Sequence, residues 1–362
     1  MFDVYKSKRV LVTGDSGFKG SWLCLWLLNL GAEVYGYSLE PPTDPSIFEQ
    51  LSIKDHIRHY TGDIRNYPQF KDFISESKPD IIFHLAAQSL VRESYTDPLG
   101  TFMTNVIGTT NLLEAVRELK SPTSVVLITS DKSYENNEWL YGYREIDSLG
   151  GYDPYSASKG AAEIAISSWR RSFFQPESIV HHGIKVASAR AGNVIGGGDW
   201  AKDRIVPDCI RFLQQNKPIQ VRNPLATRPW QHVLEPLGGY LLLGSKLLTS
   251  DVHEAKSYCE AFNFGPLICS NKSVEELVTE IIKVWGEGTW TYNKDDAFHE
   301  AYLLNLTIDK AYHKLRWLPA WEFKTTVTKT VEWYKAMWNK SDLIEITNRQ
   351  ILEYMDAFMC HH

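Results

Sequence analysis

Two short motifs in this 362-residue chain carry side chains that can move protons. Tyr155 and Lys159 stand four residues apart in Tyr155-Ser-Ala-Ser-Lys159, one helical turn apart on one face. An ammonium near a phenol favours the phenolate, so the pair predicts a tyrosine drawn towards neutrality. Such a phenol can take the proton of an alcohol while hydride leaves the carbon. A surface helix pair is the competing reading of that spacing. The second motif is Thr129-Ser130-Asp131-Lys132, at the end of the apolar run Ser124–Thr129. Ser130 is placed there to hydrogen-bond a reacting oxygen, with Asp131 and Lys132 as an ionisable pair beside it. A simple redox step has no use for that pair, and a structural salt bridge or helix cap is the alternative.

A third motif, Thr13-Gly-Asp-Ser-Gly-Phe-Lys-Gly20, follows the apolar run Arg9–Thr13 and opens a helix. Three glycines so spaced permit a tight turn, close approach of a pyrophosphate and close helix–strand packing. The helix start then offers backbone N–H groups to the anion. Gly14, Ser16, Gly17, Phe18, Lys19 and Gly20 are therefore candidate contacts to a dinucleotide. Asp15 would set a charge against the phosphates, so it is expected to point outward or to cap the helix. Ser38, with Glu40 two residues on, occupies the place where an acid usually meets the adenosine ribose. No arginine or lysine follows to favour a 2′-phosphate, which selects NAD over NADP. Asp63, with Ile64, is a candidate for the adenine amine; a solvated loop aspartate is the alternative.

The elements that must position these groups alternate between strand and helix. Strands are expected at Arg9–Thr13, Ala32–Ser38, Asp80–Leu85, Ser124–Thr129 and Lys185–Ala191, and a further short one before Asp63. Helices are expected at Trp22–Leu30 and Thr101–Lys120, and from Asp153–Pro154 (an N-cap followed by proline at the first helical position) towards Arg171. Near-continuous apolar strands in β-α alternation predict an α/β fold, a Rossmann-type doubly wound parallel sheet with a smaller C-terminal lobe. Gly192–Trp230 reads as irregular, Gly/Pro/Trp-rich substrate loops. Helical patterns return at His232–Leu248, Lys272–Trp285, Thr325–Trp338 and Asp342–Phe358. The expected division is 1–190 for the dinucleotide domain and 191–362 for the lobe, with segments around 225–265 returning to the sheet.

Bulk properties narrow the class. Apolar residues are 43% and charged residues 23%, as in an ordinary globular enzyme. The formal charge of −6 and a pI near 6.0 argue against nucleic acid as the main partner. Five cysteines without a C-x-x-C pair read as reduced and cytoplasmic. There is no metal-ligand spacing, no signal-peptide pattern and no run of the about eighteen apolar residues that a membrane span needs.

With these residues in view, the chain resembles the extended short-chain dehydrogenase/reductase family, and within it the nucleotide-sugar 4,6-dehydratases. The resemblance runs from about residue 8 to about residue 335 on Thr13–Gly20, Asp63-Ile64-Arg65, His84-Leu-Ala-Ala-Gln88, Asn105-Val-Ile-Gly108, Ser130-Asp131-Lys132, Tyr155…Lys159 and Arg190-Ala-Gly-Asn193. Gly150–Tyr155, Arg190–Trp200, Asp203–Pro207, Arg228–Pro236 and Asn263–Pro266 match the branch that acts on CDP-glucose. The resemblance implies further NAD contacts at Leu85, Ala86, Ala87, Gln88 and Asn105, and at Tyr155 and Lys159 themselves. It implies diphosphate contacts at Asn193, Arg204 and Arg228, and a base-contacting strand ending at Val221 and Arg222. The implied reaction oxidises C4, eliminates water across C5 and C6, and reduces C6. Where the thymidine-diphosphate branch has an Asp-Glu pair, this chain has Asp131 and Lys132, which makes Asp131 the acid and Lys132 the base. A lysine acts as base only when neutral, which needs burial or neighbouring positive charge. The family also implies a homodimer through Thr101–Lys120 and Pro154–Arg171, and a place in making deoxysugars of bacterial surface polysaccharide. A 4-epimerase or reductase of the same fold, and an NAD-sensing protein without chemistry, are the rival readings.

Overall fold

The computed structural model describes residues 1–119, 121–292 and 303–360; Lys120, at the end of one expected helix, lies outside them. Seven parallel strands form the central sheet. They are β1 (Arg9–Thr13), β2 (Glu33–Ser38), β3 (Arg58–Thr61), β4 (Ile81–His84), β5 (Thr123–Ile128), β6 (Ile184–Ala191) and a last strand, Ala261–Phe264. Across the sheet the order is Ala261–Phe264, β6, β5, β4, β1, β2, β3, the doubly wound arrangement in which the strand order reverses beside β1.

The strands alternate between two cores because their side chains have a period of two. Val10, Val12, Val126 and Ile128 pack on one side, with α1 (Phe18–Asn29), the helix Leu234–Thr249 and two helices further along, Phe323–Trp338 and Leu343–Met359. Leu11, Ile82, Val125 and Leu127 pack on the other, with the helices Tyr67–Ser77, Gly108–Glu118 and Pro154–Ser172. The last of these begins as its sequence requires: Asp153 caps it by accepting from the Ser156 N–H at 2.9 Å, with Pro154 at its first position.

Two stretches depart from expectation. The stretch expected to be one helix from Thr101 is interrupted: Pro98–Phe102 is α-helical, Met103–Ile107 forms a π-helical turn, and α-helix resumes at Gly108–Glu118. Such insertions in the hydrogen-bond ladder occur frequently at functional sites, and this one carries Asn105. Gly192–Trp230 is not wholly irregular either. Ile205, Cys209 and Leu213 recur at helical spacing, and Ile205–Gln214 is a helix with Val206, Cys209, Ile210 and Leu213 buried. Among the described residues no helix is long and apolar enough to cross a membrane.

Candidate active site

The cofactor turn is shaped by what a side chain would collide with. Gly14 has φ +76°, and a Cβ there would stand 2.7 Å from the Ala86 N. A Cβ on Gly20 would stand 2.0 Å from the Gly14 carbonyl oxygen, so only glycine lets α1 start so close to β1. Gly17 is the N-cap of α1 and supplies no side-chain cap, which leaves the first-turn N–H groups of Phe18 and Lys19 for an anion. Ser16 ties the turn to β2: its N–H donates to Ser38 Oγ at 3.4 Å and its hydroxyl to the Leu39 carbonyl at 2.9 Å.

Asp15 neither points outward nor caps the helix. It is fully buried beneath β2, and its Oδ2 lies 2.6 Å from His59 Nδ1 on β3. It packs against Gly36 of β2, and while Oδ2 meets His59, the buried Oδ1 has no hydrogen-bond partner among the described residues.

The loop after β4 is pinned to β1 through Leu85 N–H to the Thr13 carbonyl and Ala86 N–H to Thr13 Oγ1, with Ala87 next in line. Gln88 spends its side chain on Leu90 of the loop and on Thr101 of the helix Pro98–Phe102. Asn105 is buried and fully engaged: Oδ1 accepts from the Gln88 N–H, while Nδ2 donates to the Gln88 carbonyl and to Ser158 Oγ. These are positioning contacts, and they join the loop to the Tyr155 helix. Ile64 is packed in the core beside Gly108. The Asp63 carboxylate is held by Arg65 at 2.6 Å, whose hydrogen bonds, with its charge, keep it below the usual range.

Tyr155, Lys159, Ser130 and Asp131 are brought together and buried; Lys132 is partly buried beside them. Lys159 Nζ lies 5.9 Å from the centre of the Tyr155 ring. Ser130 stands between the two motifs, donating to Asp131 Oδ1 at 3.0 Å and facing Tyr155. The spacing predicts a tyrosine drawn towards neutrality, but burial dominates. It pushes the Tyr155 phenol up to about 12, against Ser130 and the charge of Arg204, while Asp131 adds to the rise. Burial likewise brings Lys159 down to about 8 and raises the Asp131 carboxyl, with Lys132, Ser130 and Lys19 opposing. A carboxyl whose pKa is raised is better suited to donate a proton.

Two groups here were not legible as part of the proton chemistry. The spacing marks Lys19 only as a candidate dinucleotide contact in the cofactor turn. Its ammonium faces Asp131, Lys159 and Arg204, and burial with those two cations brings it down to about 8. Tyr240, from the helix Leu234–Thr249, lies under Lys19 with its ring centre 6.0 Å from Nζ, and faces Asp131 and Tyr155. Its buried hydroxyl has no hydrogen-bond partner among the described residues. Nothing in the apolar pattern around Tyr240 marks it apart from core.

Of the expected substrate contacts, Arg204 enters the site: it faces Tyr155, pairs with Asp199 at 2.9 Å and reaches Ser89 at 3.5 Å. Asn193 lies just past the end of β6. Val221 and Arg222 end a ribbon formed by Ile219–Val221 and Trp290–Tyr292, and Arg222 meets Asp203 at 3.4 Å, as does Arg92 at 3.1 Å. Arg228 lies on a second ribbon, opposite Lys272. Among the described residues no group of His, Cys, Asp and Glu is arranged to hold a metal ion.

The chain is 47% identical over 354 residues to the CDP-glucose 4,6-dehydratase of Salmonella typhimurium, covering 98% of each chain. It is 25% identical to the dTDP-glucose 4,6-dehydratase of Shigella flexneri, over 91% of this chain and 94% of that one. The fold is shared with the dTDP-glucose 4,6-dehydratase of Streptomyces venezuelae, solved with NAD, at a TM-score of 0.76, 22% identity and coverage of 92% and 99%. It is shared equally with the UDP-glucose 4-epimerase of Thermotoga maritima, at 0.77, 21%, 91% and 99%. Residues 11–330 match the family model described as GDP-mannose 4,6 dehydratase, and the chain belongs to that family.

Proposed function

We propose that this chain is a hydro-lyase that converts CDP-glucose to CDP-4-keto-6-deoxyglucose, with NAD retained through the cycle. One observation carries the reading: an acid–lysine pair, Asp131 and Lys132, stands at the end of β5 against Tyr155, in a chain 47% identical over almost its whole length to a relative named for that activity. A dehydrogenation site has no need of the pair, whereas loss of water needs both an acid and a base.

The turn Gly14–Gly20 fits a dinucleotide, because its glycines leave a cradle that a Cβ would fill. NAD, when bound there, supplies the hydride acceptor for C4 and the donor for C6. Tyr155 takes the 4-hydroxyl proton in its ionised form, which burial makes the minor one at neutral pH, with Ser130 placed to hydrogen-bond the same oxygen and Lys159 beside the ring. The 4-ketone makes the C5 proton acidic; Lys132 removes it, and Asp131 protonates the departing C6 oxygen. Asn193, Arg204 and Arg228 are assigned to the diphosphate, since guanidinium forks suit its oxygens, and Val221 and Arg222 to the base. We assign residues 1–190 to the cofactor and 191–362 to the nucleotide sugar, with Ala261–Phe264 returning to the sheet.

The expected homodimer is supported by an apolar surface on two helical segments: Leu99, Phe102, Met103 and Ile107 on one, Ile164 on the other, all exposed. A cytoplasmic setting is supported by the five cysteines, all free.

The test is incubation with CDP-glucose followed by alkali. A 4-keto chromophore and loss of water are expected. A CDP-hexose isomer instead would make the protein an epimerase. Turnover of TDP- or GDP-sugars with none of CDP-glucose would overturn the nucleotide assignment.

A further inference from the structure

Glu163 stands four residues beyond Lys159, on the same face of the helix Pro154–Ser172, and is 2% exposed. Its carboxylate accepts from Arg190 Nη2 at 2.8 Å, Ser188 Oγ at 2.9 Å and Thr129 Oγ1 at 2.5 Å. Ser188 and Arg190 lie on β6. Thr129 immediately precedes Ser130. Arg190 in turn donates through Nη1 to the Tyr134 hydroxyl at 2.7 Å and the Glu145 carbonyl at 3.2 Å, and Tyr134 donates to Asn263 Oδ1 at 2.7 Å. One buried carboxylate therefore joins the helix that carries Tyr155 and Lys159 to the strand end that carries Ser130, Asp131 and Lys132.

We propose that Glu163 is a positioning residue of the reaction: it fixes the Tyr155–Lys159 helix against the end of β5 and supplies the negative charge that keeps Lys159 an ammonium. The inference rests on the oxidation half of the proposed function and is independent of which nucleotide is bound.

A carboxylate in this position must be ionised to act so. Burial would push Glu163 up, but the charge and hydrogen bond of Arg190, with Thr129 and Ser188, hold it below the usual carboxylate range; Arg170 faces it as well. The groups facing Lys159 are Tyr155 and Glu163 on its own helix, Lys19 from α1 and His84 from β4. Lys19 opposes its charge, as does burial. His84, bonded to Thr13 at 2.7 Å and brought down to about 3 by burial and by Lys159, is neutral. Glu163 is the partner that pulls the other way. A buried Arg–Glu pair serving the fold alone would show itself in stability and leave the titration of Lys159 in place.

The test is a titration of Lys159 by its 13Cε resonance, assigned with Lys159→Arg, in the full-length protein without substrate. Glu163→Gln leaves the Arg190 charge buried and unbalanced, which can prevent folding, so the working variant is Glu163→Gln with Arg190→Met. Its Lys159 midpoint is expected about one unit lower than wild type. The high-pH limb of nicotinamide reduction should move with it, an about fivefold loss at pH 8. Arg190→Met by itself removes the cation that competes for the Glu163 carboxylate and is expected to move the midpoint the other way, upward. A midpoint unmoved in either folded variant overturns the proposal. A wild-type protein that fails to turn over CDP-glucose overturns the substrate reading and leaves this titration to decide on Glu163.

Discussion

Tyr155 and Lys159 announce themselves by spacing, but their electrostatics come from depth. Four residues of separation cannot say whether water screens the pair. In the fold both are buried, and desolvation is the largest influence on each, raising the phenol and lowering the ammonium. Asp15 was misjudged for the same reason: its partner, His59, lies 44 positions away on another strand. Lys132 is where the chemistry divides. Lys132→Met should abolish exchange of the C5 proton with solvent by at least about a hundredfold, the lower range of general-base effects. Nicotinamide reduction by substrate should still be detectable at 340 nm. Unchanged exchange of C5–H in deuterated water would remove Lys132 from the base role. Activity that depends on the Lys159 ammonium is present below its pKa and lost as pH rises through about 8.

Strands and most helices were readable because their apolar patterns, the glycine turn and the Asp153–Pro154 start are local signals. The π-helical turn at Met103–Ile107 was not, since it answers to a tertiary demand: Asn105 must reach both Gln88 and Ser158. Asn105→Ala removes three hydrogen bonds and is expected to cost about 2 kcal/mol, read as a lower urea midpoint. If the turn also aligns the Tyr155 helix, kcat should fall while the affinity for the nucleotide sugar changes little. At the start of α1 the constraint is steric. Gly20→Ala places a methyl against the Gly14 carbonyl; the helix must retreat, and loss of NAD binding by calorimetry is expected to exceed any loss of secondary structure.

The helix Leu234–Thr249 and the C-terminal segments are held together by buried polar contacts that no local pattern predicts. Glu235, at the start of the helix Leu234–Thr249, accepts from the N–H groups of Ala320 and Trp321 and from the Tyr354 hydroxyl. Burial raises it to about 7. A folded pKa above the unfolded one gives stability that is present below about pH 4.5 and lost as pH rises through about 7, roughly 3 kcal/mol in all. Urea midpoints should therefore fall between pH 5 and 8, and Glu235→Gln should flatten that slope. Assembly between chains is tested at the exposed apolar strip: Phe102→Glu with Ile107→Glu should yield a monomer by sedimentation, and an unchanged mass would exclude that face as the interface.

The seating of Gly197 against Trp333 has a consequence for how the protein is made. A Cβ at Gly197 would stand 2.0 Å from the Trp333 ring, Trp22 donates to the Gly197 carbonyl, and the Tyr334 hydroxyl donates to the Asp199 carbonyl at 2.6 Å. Asp199 holds Arg204 towards Tyr155. The loop that completes the site thus leans on a helix synthesised more than a hundred residues later. A nascent chain that has already formed its sheet and cofactor turn on the ribosome still lacks the support that sets Arg204 towards Tyr155, which arrives only after Phe323–Trp338 has emerged and docked.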